Sequence, residues 1–479
     1  MVKQDVIPFY EKQPPVYRSS AIFYYRSGNG FKTTISFFNY WMAKRGISVT
    51  VSATLRDLAG KEVERKSLDF SVGEALNYSP LDGSAFFEGS AEIEVFSETD
   101  LVIPYAAIMA CYESPNSISL THSYARRYSQ SEIASGNTIT QGEEGCWTIR
   151  DHHRIRSFCV IHNGKQAVPC QVITMRVRNH AGEERVEEIA DVQLAPHQTI
   201  KLYPSEHFSG LAEFLNGQPG SGTVSFKLND AFTRMLLCSE SIEDQELQTA
   251  HSNFNYELKH PGFTQSKGPA TMLFPDFKTG DEQVILYPDY TSESYEVSVD
   301  GDFLLALDNS RRQQHRVGCK TGSKLSITTP SGKVPKRFVT GFESKAPTKV
   351  IPTEVSRGVR HSDEPPKRFW WGPVIKSDEF ETKIVLNPYT DYSSLAPNIK
   401  GTFRLYSQGT KEIISKSYEE LPSENLAAGM KINSIFGFDV AEFLDHTTGY
   451  FTFYSEFACF DCLVIFERHD GCIAMEHCF

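Results

Sequence analysis

Short segments in which apolar and polar residues alternate recur along this chain of 479 residues. In residues 91–95 alanine, isoleucine and valine alternate with glutamate, and residues 224–228 repeat the pattern with serine and lysine. A period of two predicts β-strands with one buried face. Glycine-bearing turns separate such segments, for example at Gly60, Gly182 and Gly409, where a hairpin needs a positive φ. The pattern therefore predicts an all-β chain.

A phrase that repeats four times indicates how the strands are grouped. In each copy an apolar run ends in a glutamate, and a histidine follows 9 to 18 residues later. The pairs are Glu113 and His122, Glu240 and His251, Glu343 and His361, and Glu467 and His477. A phrase that recurs roughly every 110 to 130 residues predicts four tandem copies of one module.

Other landmarks recur at matching places in the modules. The tetrapeptide Ala-Glu-Phe-Leu occupies residues 212–215 and 441–444, and each copy is predicted to form a helix of one or two turns. A glycine (Gly89, Gly222 or Gly449) precedes an alternating strand in three modules. Short helices are therefore expected in the loops that connect the strands.

Each module is expected to hold seven or eight strands over roughly 100 to 115 residues, with turns about every 8 to 14 residues. This profile predicts an immunoglobulin-like antiparallel β-sandwich. The Cys–Trp–Cys pattern of true immunoglobulin domains is absent, and a jelly roll or another β-barrel is the main alternative. The predicted organisation is an N-terminal arm at 1–16 and modules 1 to 4 at 17–135, 145–260, 268–365 and 367–479, of which the third is the most divergent.

The repeated glutamates and histidines are candidates for chemistry. In the last hairpin of each module the two side chains are expected to be cross-strand neighbours. Carboxylate and imidazole are common metal ligands, yet two ligands do not complete a site, and catalytic zinc generally takes three from the protein. A feature present in every copy of the module is more simply explained by a structural role than by a chemical one. A Glu–His hydrogen bond or a contact with the next module is therefore favoured, a metal site at these eight residues is the weaker hypothesis, and no cofactor is predicted.

A basic cluster is special to the junction of modules 1 and 2. Arginine pairs with carboxylate and phosphate through two hydrogen bonds, and tyrosine adds a stacking surface. Ligand sites often form at such junctions, so the cluster is predicted to bind an acidic or phosphorylated, carbohydrate-like ligand. The alternative is that its arginines pair with acidic residues across the interface. The candidate residues are His122, Tyr124, Arg126, Arg127, His152, His153, Arg154 and Arg156.

Two further clusters are predicted to be structural. Cys459 and Cys462 lie in a strand-like run, where an odd offset directs side chains to opposite faces, so buried thiols are favoured over a zinc site. Trp370 and Trp371 open module 4, and Trp147 holds the corresponding place before module 2. These tryptophans are more simply residues of a core or of a seam between modules than a sugar-stacking platform.

Composition narrows the function classes. A formal net charge of −12 argues against general binding to nucleic acid or insertion at an anionic membrane. No run of about 18 apolar residues suggests a transmembrane helix, and the first residues lack the apolar core of a secretory signal, so a cytoplasmic location is expected. The ten cysteines show no disulfide-framework spacing.

The sequence predicts a non-catalytic protein for interaction, assembly or ligand binding. Serial modules would present long surfaces and free sheet edges, which suit strand pairing with a protein partner or a second copy. Motifs for a nucleophile elbow, a phosphate loop, a dinucleotide site and a zinc protease are absent. The alternative is an enzyme acting on acidic carbohydrate or nucleotide-sugar in surface-glycan metabolism. A weaker alternative is a metalloprotein built on the Glu–His pairs.

Overall fold

The computed structural model confirms an all-β protein of antiparallel sheets with short helices. It describes residues 15–69, 75–81, 85–102, 107–122, 125–129, 139–152, 154–229, 234–254, 263–265, 269–274, 280–286, 294–307, 315–319, 323–335, 337–344, 350–359, 368–388, 400–421, 426, 429–455 and 460–479.

Module 1 contains two sheets and one helix among these residues. Its elements are β1 (Val16–Ser27), β2 (Lys32–Phe38), α1 (Tyr40–Arg45), β3 (Thr50–Asp57), β4 (Glu62–Leu68), β5 (Ala75–Tyr78), β6 (Phe87–Phe96), β7 (Ile108–Ser114), β8 (Ser117–His122) and β9 (Ala125–Ser129). The strand orders are β4-β3-β6-β1-β9 and β5-β2-β7-β8.

Module 2 repeats this plan with two helices in a loop. Its elements are β10 (Ile139–Ile149), β11 (Asp151–His152), β12 (Ile155–His162), β13 (Val168–Arg178), β14 (Glu184–Leu194), β15 (Thr199–Leu202), α2 (Pro204–His207), α3 (Leu211–Leu215), β16 (Gly220–Asn229), β17 (Leu236–Ser241), β18 (Glu246–His251) and β19 (Asn253–Phe254). The strand orders are β14-β13-β16-β10-β19 and β11-β12-β17-β18, with β15 also paired to β12.

Module 3 has two four-stranded sheets and a small strand pair in its described part. Its elements are β20 (Phe263–Gln265), β21 (Ala270–Leu273), β22 (Gly280–Leu286), β23 (Tyr295–Val299), β24 (Asp302–Leu307), β25 (His315–Cys319), β26 (Lys324–Thr328), β27 (Lys333–Pro335), β28 (Arg337–Ser344) and β29 (Thr353–Gly358). The strand orders are β21-β26-β23-β24, β25-β22-β28-β29 and β20-β27.

Module 4 again has two sheets, with two helices before its sixth strand. Its elements are β30 (Phe369–Val374), β31 (Phe380–Pro388), β32 (Gly401–Tyr406), β33 (Ile413–Tyr418), β34 (Met430–Lys431), α4 (Ile432–Phe436), α5 (Ala441–Leu444), β35 (Gly449–Tyr454), β36 (Phe460–Arg468) and β37 (Ile473–His477). The strand orders are β30-β35-β32-β33 and β34-β31-β36-β37.

The same strand pairing recurs along the chain. In module 1, β6 lies between β1 and β3, and β7 lies between β2 and β8. The corresponding central strands are β16 and β17, β26 and β28, and β35 and β36. The repeat seen in the sequence therefore extends to strand connectivity.

The two sheets of a module enclose a common core. In module 2, Trp147 and Phe226 of one sheet pack in a single apolar cluster with Cys159 and Leu237 of the other. The strands alternate because one face of each sheet contributes to this cluster. Trp147 is a core residue, as its position in the sequence predicted.

The two Ala-Glu-Phe-Leu segments form α3 and α5, as predicted. Each helix ends in a leucine that packs against a glycine at the start of the next strand: a Cβ on Gly220 would lie 2.6 Å from Leu215, and a Cβ on Gly449 would lie 2.5 Å from Leu444. The matching glycine of module 2 is therefore Gly220, and the assignment to Gly222 was wrong.

No helix in the described ranges is long and apolar enough to cross a membrane.

One strand from each of the four modules contacts those of the neighbouring modules in a closed cycle. Strand β8 contacts β18, β18 contacts β29, β29 contacts β37, and β37 contacts β8. Module 4 thus packs on module 1: the Tyr450 hydroxyl donates to the Ser36 carbonyl at 2.6 Å, and the ring of Trp371 stacks on Tyr40 with centroids 4.8 Å apart. The modules therefore form a closed ring, and Trp371 lies in a seam between modules, as predicted.

Candidate functional site

The last hairpins separate the glutamate from the histidine of a repeated pair. In module 1, Glu113 lies opposite Ile118, whereas His122 lies opposite Met109. The same offset occurs in the pairs Glu240–His251 and Glu467–His477. Four residues of strand span roughly 13 Å, so the expected cross-strand contact between glutamate and histidine is not formed in these hairpins.

Glu240 instead pairs with arginine side chains at the junction of modules 1 and 2. It accepts hydrogen bonds from Arg26 Nη1 of module 1 at 2.9 Å, from Arg156 Nε at 3.1 Å and from the Tyr203 hydroxyl at 3.0 Å. Both carboxylate oxygens are used, and the side chain is buried. Glu240 is therefore a structural anchor between the two modules.

The other glutamates of the phrase have more local partners or lie outside the description. Glu113 and Glu467 pair with a lysine of their own module, Lys32 at 3.7 Å and Lys383 at 2.5 Å. The side chain of Glu343 lies outside the described residues. Among the described residues, the structure therefore does not bring the repeated glutamates Glu113, Glu240 and Glu467 together with the histidines of their own hairpins.

The histidines of three modules converge at the centre of the ring. The ring centroids of His122 and His251 lie 4.3 Å apart, and those of His122 and His477 lie 4.5 Å apart. His251 and His477 are separated by 6.0 Å. Strands β8, β18 and β37 position these side chains, because each histidine is the final residue of its strand.

Module 3 places a serine where the other modules place histidine. The residue four positions before the repeated glutamate faces the histidine in modules 1, 2 and 4. In module 3 that residue is Val339, and its partner is Ser356. His361 lies five residues further on, outside the described residues. Counting along the hairpin register, instead of searching for a histidine, would have identified Ser356.

Glu476 is a member of the central cluster that sequence reasoning missed. Its Oε2 lies 3.3 Å from His122 Nδ1, and its Oε1 accepts the backbone N–H of His477 at 2.8 Å. One ligand atom from each of His122, His251, Glu476 and His477 lies within 4.8 Å of the other three. The residue before the histidine is Thr121 in module 1 and Ala250 in module 2. The glutamate at this position in module 4 is the feature of the sequence that could have pointed to Glu476.

Burial governs the electrostatics of this cluster. It lowers the pKa of His122, His251 and His477 well below the usual histidine value, and the nearby charge of Arg337 lowers all three further. Burial raises the pKa of Glu476 to about 7, against the opposing effect of His251. The imidazoles are therefore neutral at pH 7, the form that offers a lone pair to a metal or a hydrogen-bond donor.

Arg337 of β28 closes one side of the cluster. Its Nη1 donates to His477 Nε2 at 2.7 Å and to the Ser356 carbonyl at 3.2 Å. Arg337 therefore links module 3 to the histidine of module 4. All four modules contribute to the centre through β8, β18, the β28–β29 hairpin and β37.

The predicted anion-binding cluster is divided between several places. His122 faces the ring centre. Arg154 donates to Asp244 at 2.9 Å, and Arg156 lies 3.0 Å from Glu240, so both pair within module 2. His152 lies half-buried in β11. Tyr124 and His153 lie outside the described residues, as do the side chains of Arg126 and Arg127.

Arg26 is the buried arginine of this junction that the sequence did not single out. Its guanidinium lies 3.9 Å from the ring centroid of Phe31 and pairs with Glu240 across the interface. It lines a cavity of about 390 Å³ at the junction, together with Asn29, Phe31, Phe86, Ile242 and Gln245. Lys201 Nζ donates to Glu88 nearby at 2.9 Å. Arg26 and Lys201 at the junction therefore pair with carboxylates of the protein itself.

The C-terminal cysteines are buried thiols in the part that is described. Cys462, Cys472 and Cys478 are free and buried. The Cys472 thiol donates to the Asn116 carbonyl of module 1 at 3.2 Å. Cys459 lies outside the described residues. The prediction of a buried thiol is confirmed for Cys462.

Fold and site define a multi-module antiparallel β-protein with a histidine cluster at its centre. No protein-family model and no curated protein sequence matches the chain.

Proposed function

We propose that this chain is a non-catalytic assembly protein whose four immunoglobulin-like modules form one rigid body that pairs with a second copy through β24. The observation that carries the proposal is the composition of β24, the outermost strand of one sheet of module 3. Its sequence is Asp-Phe-Leu-Leu-Ala-Leu, and the side chains of Phe303 and Leu304 are 66% and 46% exposed. An exposed apolar edge strand is a template for pairing with another strand.

The corresponding edges of the other modules carry protecting charges. Strand β4 contains Glu-Val-Glu-Arg-Lys, β14 begins with Glu-Arg-Val-Glu-Glu, and β33 contains a central lysine. Charged side chains, and lysine above all, block edge-to-edge association. A bulge at Leu304 bends β24, but bulges also occur in β4 and β14. Charge is therefore the difference that singles out β24.

A second copy is the occupant that fits this strand. In a centred antiparallel pair, Asp302 of one copy would lie opposite Leu307 of the other, so no like charges would face each other. The same pairing of two β14 strands would place Glu187 of each copy opposite Asp191 of the other, and such like-charge pairs are destabilising. The patch is self-complementary, as a two-fold interface requires.

Strand order supports the immunoglobulin-like part of the proposal. Strands β1, β6 and β3 pair in the order that strands B, E and D hold in an immunoglobulin domain, and β2, β7 and β8 pair in the order of C, F and G. Strand β9 occupies the place of strand A beside β1, although it follows β8 in the chain. The additional strands β4 and β5 extend the two sheets. A cytoplasmic location and the module boundaries given above belong to the same proposal.

Sedimentation equilibrium of the full chain tests the proposed association. The parent is expected to show a concentration-dependent monomer–dimer equilibrium. Leu304→Lys should weaken it at least roughly tenfold, because the substitution places a charge in the paired edge. Val186→Lys on β14 is the matched control, since Val186 is 44% exposed, and it should dimerise like the parent. A parent that stays monomeric at all concentrations, or a Leu304→Lys variant that dimerises equally well, would refute the proposal.

Binding of an acidic or phosphorylated carbohydrate at the junction of modules 1 and 2 is the second candidate. The supporting observation is that consecutive arginines, Arg126 and Arg127, lie in β9 at the edge of a sheet. Titration with a heparin-derived oligosaccharide should show saturable binding that Arg126→Ala/Arg127→Ala removes. Arg154→Ala is the control, because Arg154 already pairs with Asp244. Equal binding by the double variant and the parent would exclude this site, and with it the enzymatic alternative that relies on the same cluster.

A further inference from the structure

We propose that His122, His251, His477 and Glu476 bind one divalent transition-metal ion, zinc being the simplest occupant, which ties modules 1, 2 and 4 together at the centre of the ring. The inference goes beyond self-association and is independent of it. The repeated Glu–His pairs of single hairpins do not form this site. It is assembled from three hairpins that are far apart in the chain.

The positions of the donor atoms support a single ion. One donor atom of each residue lies within 4.8 Å of the other three. Tetrahedral zinc with bonds of about 2.0 to 2.2 Å requires donors separated by roughly 3.4 Å. A contraction of at most about 1.4 Å, within reach of side-chain rotations, would bring the four donors to that spacing.

The donor types suit zinc. Three imidazoles and one carboxylate form a set of nitrogen and oxygen ligands typical of zinc and neighbouring first-row metals. His122, His251 and Glu476 are buried, with relative exposures of 2%, 1% and 1%, and His477 is nearly so. With four protein ligands and little access for water, the ion would be structural.

The site is special to the closure of the ring, in contrast to the fourfold repeat. The residue before the last-strand histidine is Thr121 in module 1 and Ala250 in module 2, and it is a glutamate in module 4. Module 3 supplies Ser356 at the fourth histidine position. Residues that the fold of a module requires would recur in every module. This combination of three histidines and one glutamate occurs once, where module 4 meets modules 1 and 2.

Arg337 is the group that competes with the ion. Its Nη1 donates to His477 Nε2 at 2.7 Å, and its charge repels a dication. Binding at Nε2 therefore requires the guanidinium to turn away, for which the Ser356 carbonyl is one alternative acceptor at 3.2 Å. Removing this charge should strengthen metal binding, an effect that a purely hydrogen-bonded histidine core would not show.

Calorimetric titration of the full chain with zinc tests the site. The chain is purified without a histidine tag and stripped with a chelator. About one equivalent of zinc should bind and raise the thermal unfolding midpoint. Cobalt added to the stripped chain in place of zinc should give the visible absorption of a tetrahedral complex. Glu476→Gln and His251→Gln should each weaken binding at least roughly tenfold, and Arg337→Gln should strengthen it. His162→Gln is the matched control, because His162 is a buried histidine bonded to Thr199 outside the cluster.

The outcomes separate the proposal from its alternatives. Less than about a tenth of an equivalent of saturable zinc would overturn it. Unchanged binding in both Glu476→Gln and His251→Gln would also overturn it, since the ion would then sit elsewhere. If His251→Gln does not fold, the nearly isosteric Glu476→Gln decides alone, through the zinc affinity and the cobalt spectrum.

Discussion

Buried ionisable side chains hold several strands of this molecule in place. Arg234 Nη1 lies 3.0 Å from Glu144 and also donates to the Ser252 carbonyl and to Asn253 Oδ1. Arg26 Nη1 likewise donates to Glu240 across the junction of modules 1 and 2 at 2.9 Å. Removing one partner of a buried pair leaves an unpaired charge and typically costs about 3–5 kcal/mol. Such residues therefore define which strands can be neighbours.

His162 gives a residue-scale prediction about pH. It is buried in β12, its Nδ1 lies 2.9 Å from Thr199 Oγ1, and burial lowers its pKa to about 3. The unfolded chain takes up a proton near pH 6.5, whereas the folded chain does not until about pH 3, so stability present above pH 6.5 is lost as the pH falls through this window. At pH 5 the loss attributable to His162 should be about 2 kcal/mol.

Chemical denaturation of the full chain at pH 7 and pH 5 measures this effect. The parent should lose about 2 kcal/mol more than His162→Gln between the two pH values, because glutamine has no proton to take up. His469→Gln at an exposed turn is the control and should follow the parent. An equal loss in the parent and in His162→Gln would show that His162 is not held neutral in the folded chain.

At the scale of elements, the sequence predicted what depends on local pattern. Alternating segments became strands, and both Ala-Glu-Phe-Leu segments became helices, because period and helix-forming residues act within a few positions. Aligning the four hairpins by their glutamate and histidine failed in module 3, where the spacing between these two residues is longest. The correct counterpart of His251 in module 3 is Ser356, which is set by register with Val339, and no residue type announces it.

Contacts between modules could not be read from the chain in this way. Glu476 meets His122 across 354 positions of sequence, and Arg337 meets His477 across 140. Such contacts depend on how four modules pack, which the pattern within one module does not encode. The pairing partners of the basic cluster between modules 1 and 2 could likewise not be read from the chain. Its described arginines are neutralised by Glu240 and Asp244, whose proximity follows from the strand order.

At the scale of the whole molecule, the contact between modules 4 and 1 closes the ring. Its seam between modules 4 and 1 combines hydrogen bonds with aromatic packing. Asn77 Nδ2 donates to Gln408 Oε1 at 2.9 Å and to the Thr448 carbonyl at 2.8 Å. The rings of Phe38 and Tyr406 have centroids 4.6 Å apart. An open row of modules would leave all of these groups exposed to water.

Chemical cross-linking across this seam tests closure most directly. Asn77→Cys/Gln408→Cys is made in a Cys170→Ser background, because Cys170 is the exposed thiol among the described cysteines. A short bis-maleimide should link the two positions within one chain and increase its mobility on a denaturing gel. Asn77→Cys/Asp300→Cys, which joins module 1 to module 3 across the ring, should remain unlinked. Failure of the first pair to react within the chain, or equal reaction of both pairs, would contradict the closed ring.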